Sequence, residues 1–135
     1  MPEKLMLKGS CLCGAVAYEV DAEIGPIVHC HCQTCRKAHG SAFSSVSPAA
    51  KDKFRFVRGE ELLTSYESSP GKFRRFCSRC GSQIVAERTE SSNMLLRLGC
   101  LDTPVETQPR AHIWRSDAAS WYDPKIQIPE LPKGV

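Results

Sequence analysis

The spacing of the cysteines constrains this chain more than any other feature of its sequence. Seven of its eight cysteines lie in three short groups, and Cys100 stands apart. The groups are Cys11-Leu12-Cys13, Cys30-His31-Cys32-Gln33-Thr34-Cys35 and Cys77-Ser78-Arg79-Cys80. Structural zinc sites have four protein ligands, whereas catalytic zinc sites have three and keep one exchangeable position. The grouping therefore predicts a closed site made of two pairs and a second site made of three cysteines.

Length and cysteine usage favour metal binding over disulfide bonds. The 135 residues most simply form one domain that covers residues 1–135. Because no apolar segment is long enough for a membrane helix or a secretory signal, we expect a cytoplasmic protein. Grouped cysteines in a reducing compartment bind metal more often than they form disulfides. An even number of cysteines would also suit a disulfide scaffold, but Cys-x-Cys neighbours do not easily pair with each other.

The net charge gives little support to a polyanionic partner once metal binding is considered. The formal net charge is +3. A zinc ion with four thiolates carries about −2, and one with three thiolates carries about −1. Two such sites bring the whole protein close to neutrality. We therefore expect neither a membrane nor a nucleic acid as the partner.

Short β-like segments and frequent turns predict a small all-β domain of antiparallel strands with little helix. The predicted strands are 15–20, 54–57, 62–68, 72–76, 83–87 and 93–98. The one plausible helix runs from Gln33 to His39, and Gly40 ends it. We expect a core of about residues 7–124, stapled by zinc, and an extended, proline-rich tail at 125–135.

The two cysteine pairs suit a structural site. Two intervening residues let a tight turn aim the sulfurs of Cys77 and Cys80 at one ion, and Gly81 permits the positive φ that such turns often need. Cys11 and Cys13 form a tighter hook, again followed by a glycine. Together the pairs predict a closed site of four cysteine ligands that joins distant parts of the chain.

The group of Cys30, Cys32 and Cys35 suits a site with an open corner. Three thiolates can occupy three positions of a tetrahedron and leave the fourth to water or an external thiol. A protein ligand could instead close the site, and the candidates are His29, His31, His39 and Cys100. An iron–sulfur cluster fits the spacing less well. Because three thiolates make the metal a poor Lewis acid, the site favours thiol chemistry over hydrolysis.

Several motifs resemble one protein family over most of the chain. They are Gly9–Val16, the Cys-His-Cys-x-x-Cys-Arg-Lys block at 30–37, Phe76–Gly81, Ala111–Trp114 and Ser120-Trp121. This arrangement resembles the glutathione-dependent formaldehyde-activating family, which is shared with centromere protein V. The resemblance implies a β-tent fold and two zinc ions, one on Cys11, Cys13, Cys77 and Cys80 and one on Cys30, Cys32 and Cys35. It also implies condensation of glutathione with formaldehyde to S-hydroxymethylglutathione, which is a carbon–sulfur lyase reaction run backwards.

The leading hypothesis is therefore an enzyme whose partners are a small-molecule thiol and an aldehyde. A thiol at the open position of the second zinc would add to the carbonyl carbon. Water or a histidine would supply the proton, and His31 is the first candidate by proximity, with His39 next. Candidates for the carboxylates of glutathione are Lys72, Arg74, Arg75 and Arg97, although solvated strand faces explain these charges equally well.

The alternative hypothesis is a non-catalytic zinc module that binds protein or nucleic acid. Aromatic and basic residues interleave at 54–58 and 72–76, as they do in single-strand binders. A strand with one buried face gives the same alternation, and we favour that interpretation. Cys100 could act as a redox partner, but a lone cysteine is more often a small buried hydrophobic residue.

Overall fold

The computed structural model describes residues 6–134, and most of its regular structure is β. The strands are β1 (Leu7–Ser10), β2 (Ala17–Val20), β3 (Ile27–Cys30), β4 (Ser44–Ala50), β5 (Phe54–Arg58), β6 (Leu63–Ser69), β7 (Lys72–Cys77), β8 (Gln83–Arg88), β9 (Asn93–Arg97) and β10 (Pro109–Ile113). Helix α1 (Gln33–His39) is accompanied by short 3-10 helices at Lys51–Lys53, Glu60–Leu62, Leu98–Cys100 and Arg115–Asp117. The prediction of an all-β fold of short strands with little helix is confirmed.

The strands form two sheets. The larger has seven strands in the order β10-β3-β4-β9-β8-β7-β6, and the smaller has three in the order β1-β2-β5. Neighbouring described strands are antiparallel, except that β10 pairs with β3 in parallel. A parallel pair needs a long crossover connection, and here most of the chain lies between the two strands. The sequence predicted only antiparallel strands because no local signal marks this long-range pairing.

The core lies between the two sheets, on one face of the larger sheet. Along β9, Met94 and Leu96 point into this core, whereas Leu95 and Arg97 line a cavity on the opposite face. The alternation follows from the two-residue period of a strand. Tyr18 of the smaller sheet is fully buried and stacks on Phe54 with ring centroids 4.9 Å apart. One face of the larger sheet therefore holds the core, and the other is free to form a site.

The alternation of aromatic and basic residues in β5 follows burial. Phe54 and Phe56 pack against the core, while Arg55 forms an ion pair with Glu19 on the neighbouring strand. These two rings are therefore used in packing, and base stacking would need them exposed. Hence β5 has the buried and solvated faces that the sequence analysis favoured.

Helix α1 has the bounds that the sequence predicted. Its N-cap is Cys32, whose sulfur accepts a hydrogen bond from the backbone N–H of Cys35. Gly40 ends it in the left-handed region at φ 57°, and its N–H donates to the carbonyl of Arg36. The second cysteine group thus lies at the start of the helix.

Residues 118–134 form no helix or strand, and no helix within 6–134 is long and apolar enough to cross a membrane.

Candidate functional site

The first cysteine cluster brings together the two sequence pairs. The sulfur atoms of Cys11, Cys13, Cys77 and Cys80 all lie within 4.8 Å of one another. The Cys11–Cys13 and Cys13–Cys77 sulfur distances are 3.6 and 3.8 Å. Zn–S bonds of about 2.3 Å would put the sulfurs of a tetrahedral site about 3.8 Å apart. These four side chains can therefore hold one metal ion without rearrangement.

Two turns build this first cluster and connect the sheets. The first turn lies between β1 and β2 and the second between β7 and β8, and each closes on a glycine with positive φ, 81° at Gly14 and 78° at Gly81. The backbone N–H of Leu12 also donates to the hydroxyl of Ser82, which links one turn to the other. A metal ion here would fix the smaller sheet to the larger one, as expected for a structural site.

The second cluster lies where β3 meets helix α1. The sulfurs of Cys30, Cys32 and Cys35 lie within 4.8 Å of one another. No further histidine, cysteine or carboxylate within the described range completes this group as a fourth ligand. The Cys30 thiol and, more weakly, the Ser44 hydroxyl and the Arg74 guanidinium lower the pKa of Cys35 to about 3, although burial opposes them. Hydrogen bonding to Cys35 and burial raise the pKa of Cys30. The cluster therefore favours a thiolate at its buried end.

The second cluster opens to a cavity of about 870 Å³ on the free face of the larger sheet. All three of its cysteines line this cavity, and none of the four cysteines of the first cluster does. Its charged lining residues are Lys72, Arg74, Arg88, Arg97, Arg110 and Asp117. A cavity of this size suits a small ligand, and its charge favours an anionic one. The two clusters thus differ, because one groups four cysteines and the other groups three beside an open space.

Two of the cavity arginines are buried rather than solvated. Arg74 and Arg97 are each only 3% exposed. Burial, and then the charge of Arg74, lower the pKa of Arg97. Arg75 instead lies between two carboxylates, those of Glu60 and Glu87. The alternative of solvated strand faces is therefore wrong for Arg74 and Arg97. The sequence could not show this, because a charged residue in a strand normally marks the exposed face.

The two histidines predicted as proton donors do not line this cavity. His31 is fully buried, and its Nε2 lies 2.8 Å from Nδ1 of His112 on β10. His39 lines a different cavity, of about 420 Å³, and burial lowers its pKa to about 4. Their role as proton donors stays a prediction.

One residue of the cavity wall has an unusual backbone conformation. Trp114 lines the cavity and adopts a left-handed backbone conformation at φ 55°, which bulky residues rarely adopt. Strained backbone of this kind concentrates at functional sites.

The described geometry defines a class of protein, namely a small β fold with two cysteine clusters of which one faces a cationic cavity. Residues 6–117 match the family model described as glutathione-dependent formaldehyde-activating enzyme, and the chain belongs to this family. The family resemblance seen in the sequence is confirmed.

Three known proteins are similar to this chain. A Halomonas elongata protein, provisionally named a glutathione-dependent formaldehyde-activating enzyme, is 34% identical over 87 residues, which cover 59% of this chain and 55% of that protein. An uncharacterized lyase of Schizosaccharomyces pombe is 33% identical over 93 residues, which cover 69% of this chain and 64% of the lyase. The chain thus matches less than two thirds of the length of these relatives. The crystal structure of a Rhodobacter sphaeroides protein has a TM-score of 0.64 and 25% identity, over 78% of this chain and 98% of that one.

Proposed function

We propose that this protein is a zinc-dependent carbon–sulfur lyase of the S-(hydroxymethyl)glutathione synthase type. It adds a thiol such as glutathione to a small aldehyde such as formaldehyde, or runs the reverse reaction. The observation that carries this proposal is the group of Cys30, Cys32 and Cys35 beside the cationic cavity. Membership of the family and the names of the two relatives support the same reaction class.

The donor set of both clusters fits zinc. All the ligand atoms are sulfurs, and soft thiolates in a tetrahedral arrangement select zinc among the common divalent metals. Cys11, Cys13, Cys77 and Cys80 would hold the structural ion, and Cys30, Cys32 and Cys35 would hold the second. Zinc bound to the three cysteines would supply a position that favours the thiolate form of an added sulfur ligand. A cytoplasmic location belongs to this proposal, because the cysteines must stay reduced.

The side chains around the second cluster are arranged to bind and orient a thiol. Arg74 fixes the buried end of the cluster, since its Nη2 lies 3.7 Å from the sulfur of Cys35. Val28, Val46 and Leu95 give the cavity an apolar wall that can contact the carbon atoms of a ligand. The cations that line the same cavity favour an anionic ligand.

The proposed reaction forms one bond and needs one proton. The thiolate sulfur attacks the carbonyl carbon, the electron pair of the C=O bond moves to oxygen, and that oxygen takes a proton to give a hemithioacetal. Since His31 and His39 do not line the cavity, water in the cavity is the simpler proton source, and the histidines remain alternative donors.

The test is whether the zinc-loaded protein accelerates exchange between isotope-labelled formaldehyde and S-hydroxymethylglutathione, followed by magnetization-transfer NMR. Acceleration over the spontaneous rate is expected. Cys35→Ser should reduce the acceleration at least about tenfold, because it removes one of the three ligands. Cys100→Ser is the matched control, since Cys100 belongs to neither cluster, and it should keep the acceleration.

A protein that binds two zinc ions but leaves the exchange at its spontaneous rate would refute the enzymatic proposal. The alternative, a non-catalytic zinc module, would then be the better account.

A further inference from the structure

The inference starts from Arg74 and Arg97, whose buried guanidinium groups are incompletely paired. Nη1 of Arg74 and both Nε and Nη2 of Arg97 are buried without a hydrogen-bond partner in the described part of the chain. Buried charges in proteins are normally paired, because removing an ion from water without a partner is costly. These three N–H groups therefore indicate an anion that binds beside them.

The two arginines converge on the same place from different strands. Arg74 lies on β7 and Arg97 on β9, which flank β8, and both line the cavity together with Cys30 and Cys35. Nε of Arg74 donates to the hydroxyl of Ser68, and Nη2 lies near the sulfur of Cys35. Nη1 is therefore the guanidinium nitrogen that has no hydrogen-bond partner. Lys72 lies two residues from Arg74 and also lines the cavity. Both arginines thus lie at the cavity to which the second cluster opens, and Arg97 also lines the neighbouring cavity of about 420 Å³.

The charge of the cluster does not account for all these cations. Three thiolates with one zinc ion carry about −1, whereas Arg74, Arg97 and Lys72 together carry about +3. Two positive charges remain after the charge of the cluster is subtracted. An added thiolate neutralises one of them and leaves the other. The acidic residue on the cavity wall, Asp117, belongs to the 3-10 helix after β10 and forms no ion pair with either arginine in the described structure. A second negative group on the ligand would neutralise the charge that remains on these three residues.

We infer that Arg97, Arg74 and Lys72 form a carboxylate subsite beside the second cluster, and that it selects thiols that carry a carboxylate close to the sulfur. The inference rests on the proposed function for the identity of the ligand as a thiol. A guanidinium group matches a carboxylate with two parallel hydrogen bonds, and Arg97 has two free N–H-bearing nitrogens for this purpose. Arg97 is then the main specificity residue, and Lys72 adds a point charge at the solvent side.

The experiment compares two thiols that differ in one charge. N-acetylcysteine and N-acetylcysteinamide have the same size and the same thiol, but only the first has a carboxylate. Their affinities for the zinc-loaded protein are measured by isothermal titration calorimetry. The acid should bind at least about tenfold more tightly than the amide, as expected for charge-assisted hydrogen bonds in a buried site.

Substitutions at Arg97 and Lys72 test whether the subsite causes this preference. Arg97→Gln and Lys72→Gln should reduce the preference for the acid at least about threefold while the affinity for the amide changes little, and Arg97→Lys should restore part of it. Lys37→Gln removes an exposed cation from helix α1 and should leave the preference unchanged. Zinc content and circular dichroism check that each variant folds. If Arg97→Gln fails to fold, Lys72→Gln, which alters a partly exposed side chain, carries the test.

The outcomes separate this inference from the proposed function. Equal affinity of the wild-type protein for the acid and the amide would overturn the subsite, even if the protein accelerates formaldehyde exchange. A preference that survives both glutamine variants would also overturn it. A preference lost in those variants would support the subsite, even if no aldehyde exchange is accelerated, in which case only the proposed reaction fails.

Discussion

At the scale of single residues, Trp114 has a backbone conformation that is unusual for its residue type. Its backbone lies in the left-handed region although the side chain is large, and the side chain is 62% exposed. An exposed ring gains little from burial, so packing alone does not offset the strain of about 1–3 kcal/mol expected for such a conformation. The strain is retained, in our interpretation, because it directs the ring into the cavity wall.

Replacing Trp114 tests its effect on the stability of the protein separately from its effect on thiol binding. We expect Trp114→Gly to leave the free energy of unfolding unchanged or to raise it by up to about 1 kcal/mol, because glycine adopts positive φ without strain. The same variant should weaken thiol binding several-fold. Trp121→Gly is the control, since Trp121 is similarly exposed but does not line the cavity, and it should gain no stability and keep thiol affinity. Chemical denaturation and calorimetry measure both quantities, and a clear loss of stability in Trp114→Gly would refute the interpretation.

At the scale of elements, the connection after β5 presses against the turn that carries the first cysteine pair. Gly59 follows β5 at φ 77°, and a Cβ atom there would lie 2.1 Å from the carbonyl oxygen of Ala15. Gly71, in the hairpin between β6 and β7, has nearly the same φ of 76°, but a Cβ atom there would meet nothing within 4 Å. The two glycines therefore share a backbone requirement and differ only in packing.

Alanine substitutions at Gly59 and Gly71 should therefore lower the free energy of unfolding by different amounts. Gly71→Ala should lower the free energy of unfolding by about 1 kcal/mol, which is the cost of positive φ alone. Gly59→Ala should cost about 3 kcal/mol or more, because the backbone of Ala15 must also move. Ala15 follows Cys13 closely, so the same variant should weaken metal binding at the first cluster. Equal losses in both variants, measured by denaturant unfolding, would show that this contact is unimportant.

Elements also show what the sequence could and could not predict. The helix Gln33–His39 was predicted with its bounds because its terminal glycine is a local signal. Strand β4 was missed because its serines and Pro48 are poor strand formers, although it lies between β3 and β9 inside the larger sheet. Cysteine spacing predicted the short groups, and the need of a closed zinc site for four ligands predicted that the two pairs meet. The burial of Arg74 and Arg97 was not predictable, because it depends on strands β7 and β9 being placed around one cavity.

At the scale of the whole molecule, the two clusters connect different parts of the chain. The first joins the turn between β1 and β2 to the turn between β7 and β8, across more than sixty residues of chain. The second joins residues within one short segment, Cys30 to Cys35, and closes no long loop. A cross-link restricts the unfolded chain more when the loop it closes is longer. Metal at the first cluster should therefore carry most of the metal-dependent stability, and metal at the second should carry the activity.

Single substitutions in the two clusters test this division. Cys77→Ser should lower the free energy of unfolding by several kcal/mol or prevent folding, and native mass spectrometry should show loss of the first zinc. Cys35→Ser should lose the second zinc and the exchange activity, yet unfold with a free energy within about 2 kcal/mol of the wild-type value, because a buried serine replaces a buried thiol in a short segment. Stepwise removal of zinc by a chelator should follow the same order, with activity lost before the fold. If both variants were equally destabilised, the second cluster would be a structural element too, and its three cysteines would no longer argue for catalysis.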